Sequence, residues 1–211
     1  MLRNRWVKVL LFLVCLAPAA WLSWRFYKQD LTLNPLEYMT HFTGDWTIRM
    51  IVASLAITPL RKLLHLPDLI RFRRMIGLFA FFYGVAHFSM WFYFDKDFDF
   101  TEMWKDVAKR PFITAGFAGL LAMVPLAITS TTGWIRRLGG KRWQLLHRLV
   151  YFTAIAGVVH YYWLVKSDIR LPLLYGAIVA VELAYRVAVW LTARKPKAVA
   201  KRPVPATGIS L

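Results

Sequence analysis

The sequence predicts an all-α integral membrane protein, a six-helix transmembrane bundle with both termini on the cytoplasmic side. Three observations carry that expectation. Of 211 residues, 58% are apolar and 16% aromatic, well above the roughly 45–50% apolar content of soluble domains. The apolar residues gather into separate runs, each near the ~20 residues that cross a hydrocarbon core as a helix. The basic residues, 28 Lys and Arg against 11 Asp and Glu, fall in short clusters between those runs, as topology signals do. A soluble chain this basic would suggest nucleic acid, and the clustering weakens that reading. No run alternates with a period of two, so no strands are expected.

In chain order the runs cover residues 7–24, 42–60, 75–94, 112–130, 145–165 and 171–191. The first follows Arg3, Arg5 and Lys8 and contains Ala17-Pro18-Ala19, which mimics a signal-peptide cleavage site. Its apolar character continues through Trp21, Leu22 and Trp24, so a retained helix is expected. The second run includes Asp45 and Arg49 and reaches Pro59, which leaves it a short clean core. Breakers mark the connections: Asn34-Pro35, Leu66-Pro67, Arg110-Pro111, Gly139-Gly140 and Leu171-Pro172. The N-terminus, the second and fourth connections and the C-terminal segment hold 19 Lys and Arg, against 8 in the other three connections. The larger set faces the cytoplasm. Residues 1–194 therefore form one membrane domain, and 195–211, rich in Pro and Lys, read as a flexible basic cytoplasmic tail. Cys15 stands alone and makes no internal disulfide. No Gly-x-Gly-x-x-Gly and no Walker lysine occur, so chemistry that needs a nicotinamide nucleotide belongs to a partner.

Two stretches echo one another. Residues 74–87 and 147–160 are both 14 residues long, mostly apolar, and end Gly-Val-(Ala or Val)-His. An ionisable side chain in lipid marks a functional site. The third and fifth helices run in the same direction, so His87 and His160 lie at matching depths in the outer half, with His147 near the cytoplasmic end. Two imidazoles facing across a bundle clamp a haem iron from both sides and leave no open position, which suits electron transfer. Gly84 and Gly157 each precede their histidine by three residues, on the same helix face, where a missing side chain lets a flat macrocycle approach. One haem b between helices three and five, on His87 and His160, is the expectation.

A second level is less complete. His147 lies 13 residues before His160, about 20 Å of rise and roughly 140° of rotation on a straight helix. The position facing it on the third helix is Arg74, which can meet a propionate or approach the iron side but stays protonated. One or two haems remain open. His41, at the outer start of the second helix, is a candidate for a quinone or haem edge, with capping as the alternative. His65 reads as a solvated loop residue. Glu182 and Arg186 read as a self-neutralising pair one turn apart, with proton handling the alternative. The acidic, aromatic segment 95–102 is where an external partner would dock.

Four segments carry a family resemblance: His41-Phe42-Thr43-Gly44, Ile57-Thr58-Pro59-Leu60, Arg71-Phe72-Arg73-Arg74-Met75-Ile76-Gly77-Leu78, and the stretch from Leu138-Gly139-Gly140-Lys141-Arg142-Trp143 through His147-Arg148 to Tyr151. In this order, over about 34–186, they resemble the MsrQ family, formerly YedZ, itself similar to ferric-reductase and NADPH-oxidase membrane domains. The resemblance implies a non-catalytic haem b subunit in the bacterial inner membrane. Such a subunit takes electrons from the quinone pool or a cytoplasmic flavin reductase. It passes them to MsrP, a periplasmic molybdopterin methionine-sulfoxide reductase that repairs oxidised proteins. It also implies FMN, for which no residues here mark a site. His87, His147 and His160 match the family's haem histidines. Ferric reductases have a further histidine at about the place of Arg74, so the four-histidine scheme is incomplete here. Two rival readings are a cytochrome b561-like quinone-linked anchor for another oxidoreductase and a haem-free transporter or scaffold.

Overall fold

The computed structural model describes residues 4–193, and every regular element there is helical. The tail expected at 195–211 lies outside the described residues. The helices are α1 (Arg5–Tyr27), α2 (Pro35–Leu63), α3 (Ile70–Met90), α4 (Phe100–Lys109), α5 (Pro111–Ile128), α6 (Thr132–Leu138), α7 (Gly140–Leu146), α8 (Leu149–Leu164) and α9 (Arg170–Ala193). A 3₁₀ turn, Pro67–Leu69, leads into α3, and a π-helical turn, Trp91–Asp95, continues it.

The breaking residues act where the sequence puts them. Pro35 opens α2 behind the Asn34 cap, and Pro111 opens α5; at these first positions the missing N–H costs nothing. Asp99 caps α4 by accepting from the backbone N–H of Thr101 at 2.7 Å and Glu102 at 3.1 Å. Gly139, at φ 75°, separates α6 from α7, a conformation that glycine adopts without strain. His65 sits in the α2–α3 connection at φ 54°, a loop residue as expected.

Four stretches are long and apolar enough to cross a membrane: Arg5–Tyr27, Pro67–Asp95, Pro111–Ile128 and Arg170–Ala193. The other two expected runs correspond to α2 and α8. At 29 residues α2 is the longest helix, but it carries Asp45 and Arg49, which pair with each other at 3.1 Å. At 16 residues α8 is short, about 24 Å of rise, because the chain turns at His147-Arg148 instead of running helical from Leu145. Large apolar side chains such as Leu10, Val181 and Trp163 face outward, an arrangement suited to lipid and not to water.

The two most extensive helix contacts are α2 with α3 and α5 with α8. A core of Leu55, Tyr83, Phe79, Ile51 and Ala154 lies between them. The first helix joins through a polar stitch. Pro18 lies inside α1, and the buried Tyr83 hydroxyl of α3 donates to the Cys15 carbonyl at 2.8 Å and accepts from the Ala19 N–H at 3.2 Å. At the other end of α3, Lys96 is tied to Asp106 of α4 at 2.7 Å and to Asp95 at 3.1 Å. Met103 and Val107 turn α4 inward while Phe100 and Trp104 stay exposed.

Tyr83→Phe removes both halves of the α1 stitch, and we expect a loss of about 1–3 kcal/mol, read as a lower unfolding midpoint in detergent. The Lys96 ammonium beside Asp106 holds its carboxyl below the usual carboxylate range. A carboxyl depressed in the fold contributes stability above its unfolded pKa of about 3.9 and loses it as pH falls further. Amide exchange of α4 should therefore accelerate below about pH 4, and Asp106→Asn should abolish that acid sensitivity.

Candidate functional site

His87 on α3 and His160 on α8 face one another with ring centres 5.9 Å apart and planes at 78°. Both rings are held from behind by a helix backbone. His87 Nδ1 donates to the Thr40 carbonyl at 2.9 Å, and His160 Nδ1 donates to the Phe112 carbonyl at 2.7 Å. Each carbonyl lies one turn before a glycine of the same helix, Gly44 on α2 and Gly116 on α5. Those glycines touch the rings: a Cβ on Gly44 would stand 3.0 Å from His87 Nδ1, and one on Gly116 would stand 2.7 Å from His160 Nδ1. The same clasp occurs twice, and it accounts for the close pairing of α2 with α3 and α5 with α8. A carbonyl only accepts, so each Nδ1 carries the proton and each Nε2 keeps its lone pair for a ligand.

A cavity of about 230 Å³ opens between the histidines. Gly84, Gly157, Thr47, Ile48, Phe88 and Leu120 are among its lining residues. A Cβ on Gly84 would reach Leu120 at 3.4 Å, and one on Gly157 would reach Ile48 at 3.4 Å, so both glycines hold space open in this wall. Imidazoles sharing one metal put their ring centres roughly 6 Å apart, given about 2 Å per metal–nitrogen bond. The observed spacing fits a shared iron. Among the described residues no group of three His, Cys, Asp or Glu stands ready for a bare ion. A metal held here brings its other donors with it, as a porphyrin does. His41 lies on the cavity rim with its side chain half exposed and Nε2 3.9 Å from the Glu37 carboxylate; it does not join the facing pair.

A second cavity of about 520 Å³ lies toward the other end of α3 and α8. It is lined by His147, Arg73, Arg74, Gln144, Arg148 and Tyr151 among others, with no carboxylate among its lining residues. Such a site favours an anionic group, since Arg donors match carboxylate or phosphate. His147 belongs to the turn after α7, not to α8, so the 140° offset of a straight helix does not apply. Its Nε2 lies 3.0 Å from Thr129 Oγ1, its ring stacks on Trp143 at 3.8 Å, and Trp143 Nε1 donates to the Thr129 carbonyl at 2.8 Å. Arg74, the expected partner, lines this cavity from an exposed position, and Arg73, half-buried, lines it beside Arg74.

A family model described as "Ferric reductase like transmembrane component" matches residues 43–158. Three similar proteins carry the name "Protein-methionine-sulfoxide reductase heme-binding subunit MsrQ". That of Herminiimonas arsenicoxydans is 51% identical over 86% of this chain and 84% of its own length. That of Caulobacter vibrioides is 46% identical over 88% and 89%. The Rhodospirillum rubrum protein is 47% identical over 87% and 88%. The chain belongs to the MsrQ family. No solved structure matches it. The matched segment runs from Thr43 into α8, so in this MsrQ-family chain it takes in Gly44, His87, Gly116 and the lining of the second cavity, while Thr40, His41 and His160 of the first cavity lie just outside it. Membership of a transmembrane family agrees with the four spanning helices and makes the chain a multi-pass membrane protein.

One expectation is overturned. Arg186 does not pair with the Glu182 carboxylate; its guanidinium donates to the backbone carbonyls of Glu182 and Leu55. Backbone acceptors within reach of both arms of the fork outcompete the side chain one turn away. Gly44, Gly116, Arg73 and Thr129 are the residues that sequence reasoning missed. A weak signal existed for the glycines, since Gly44 precedes His87 by 43 residues and Gly116 precedes His160 by 44. That spacing gains meaning only once the helix pairs are known.

Gly116→Ala should push the His160 ring off the Phe112 carbonyl and cost about 1–3 kcal/mol of overpacking. Thermal unfolding and the imidazole nitrogen NMR signals of His160 would report it. Gly140→Ala, where a Cβ meets nothing within 4 Å, should be neutral in the same assays.

Proposed function

We propose that this chain is the haem b electron-transfer subunit of a methionine-sulfoxide reductase system, working in the bacterial inner membrane. The observation that carries this reading is the facing pair His87 and His160, ring centres 5.9 Å apart on one cavity, each with Nδ1 tied to a helix carbonyl so that Nε2 keeps its lone pair. The relatives' printed name, a heme-binding subunit of such a reductase, supports it. A haem iron bound there supplies one-electron chemistry without an open position for oxygen. The protein's own residues do the rest. The Thr40 and Phe112 carbonyls fix the imidazole tautomers and raise their basicity. Gly84 and Gly157 admit the ring plane, and the apolar lining excludes water.

The inner cavity, with His147 on one wall and Arg73, Arg74 and Arg148 around it, suits a second haem whose propionates meet the arginines. The same cationic set suits the phosphate of FMN. Six spans, with α2 and α8 added to the four helices that are long and apolar enough by themselves, and both termini in the cytoplasm, are the topology that the basic clusters of the chain favour. In that orientation the inner cavity faces the cytoplasm, where a quinol or a flavin reductase delivers electrons. The outer pair faces the periplasm, where a molybdopterin methionine-sulfoxide reductase of the MsrP kind receives them. Residues 1–194 are the membrane domain in this scheme.

The test is an oxidised-minus-reduced absorption spectrum of the purified protein with haem quantified per chain. A bis-histidine b-type signal is expected, with its outer component absent in His87→Ala and in His160→Ala. Unchanged haem content in either variant would overturn the assignment. A stoichiometry near two that falls to near one in His147→Ala is the result expected of an inner site.

A further inference from the structure

Among the described residues two acids are buried, Asp106 and Glu182. Asp106 has Lys96 at 2.7 Å. Glu182, 6% exposed, is different: it makes no ion pair, and its Oε2 has no hydrogen-bond partner among the described residues. It lies midway along α9, which packs on α2 and α8. Its helix neighbour Arg186 spends its donors on the carbonyls of Glu182 and Leu55 and stands 5.5 Å from the centre of the Tyr151 ring. Tyr151 and Arg73 both line the inner cavity, and Arg73 interacts with Tyr151 and with Arg186. A continuous line of groups thus runs from Glu182 through Arg186, Tyr151 and Arg73 into that cavity.

The remaining charged or titratable neighbours are occupied elsewhere. On α9, Tyr175 accepts from Arg49 Nε at 3.2 Å, and Arg49 is paired with Asp45 of α2. Tyr185 has Lys62 of α2 at 6.0 Å. From α8 come Tyr151 and, toward the outer cavity, Tyr161 beside Asp45. From α2 the nearest polar group on this line is the Leu55 carbonyl. Among the described residues no second acid pairs with Arg73 or Arg186.

A carboxylate without a partner is costly in a low-dielectric interior, and its tolerance depends on nearby uncompensated positive charge. An electron arriving in the inner cavity adds negative charge that Arg73 and Arg186 must answer, which leaves less to support the carboxylate. We propose that Glu182 is a proton-loading site, taking up one proton when the group in the inner cavity accepts one electron. The proton comes from cytoplasmic-side water and forms an O–H bond at Oε2. The bond breaks and the proton returns when the electron moves on to the outer site. The reductant is the one-electron donor of the proposed function, and this inference rests on that reading of the inner cavity.

The experiment is a potentiometric titration of the holo-protein in detergent at several pH values, with haem counted in each sample. The inner-haem midpoint potential should fall as pH rises, by up to about 59 mV per tenfold change in proton concentration, the one-electron equivalent. Glu182→Gln should keep the haem content and flatten that slope. Glu182→Asp, which keeps the carboxyl, should retain a slope and guards against a folding artefact. Redox-difference infrared spectra should contain a protonated-carboxyl band in the wild type that Glu182→Gln lacks. A flat wild-type slope, or equal slopes in wild type and Glu182→Gln, overturns the proposal alone. One haem per chain overturns the inner-site reading, and the proposal with it.

Discussion

Everything at the site depends on how two histidine rings are held from behind. An imidazole in lipid has no water to orient it, so the tautomer and the direction of Nε2 must be set by protein. Here a helix carbonyl does this at each ring, at 2.9 Å for His87 and 2.7 Å for His160. A side chain on the gripping helix would block the approach, which is why glycine stands at 44 and 116. Small residues allow close helix approach in membranes generally. In this chain the approach serves a ring instead of a second backbone.

The two clasps make the bundle a pair of pairs, α2 with α3 and α5 with α8, and the cavities lie along the seam between them. Their chemistry differs end to end. Around His87 and His160 the walls are mostly apolar, which suits a flat apolar group and excludes water. Around His147 the walls carry three arginines and no acid, which suits charged edges. The electron carrier proposed above, accepting on one side and delivering on the other, would use that asymmetry. The polar stitches outside the seam, Tyr83 onto α1 and Lys96 onto α4, hold peripheral helices without entering either cavity.

The buried acid on α9 fits the same frame. Arg186 is committed to backbone carbonyls, so it supplies positive field without quenching Glu182. A pair that looks bonded in sequence makes no direct carboxylate–guanidinium contact in three dimensions. The difference is a matter of reach, because a guanidinium fork bonds whatever acceptors its rotamer meets.

Much was already determined by the sequence. Run lengths, basic clusters and punctuation by Pro and Gly fix the helices, because in lipid every backbone polar group must be paired within its own segment. The echo ending in His87 and His160 singled out the two rings that the fold brings face to face, since an ionisable residue in an apolar run is rare without a role. His147 was legible for the same reason, and Gly84 and Gly157 from their place one turn before a histidine; each lines a cavity. Only the tertiary structure decided which residues stand behind the rings and which join Arg74 and His147 around the second cavity. Gly44, Gly116, the carbonyls of Thr40 and Phe112, and Arg73 belong to that class. Such identities depend on helix rotation and on the turn at His147-Arg148, where a shift of one residue moves a side chain by about 100°. Periodicity within a single segment carries no record of which neighbour it will face.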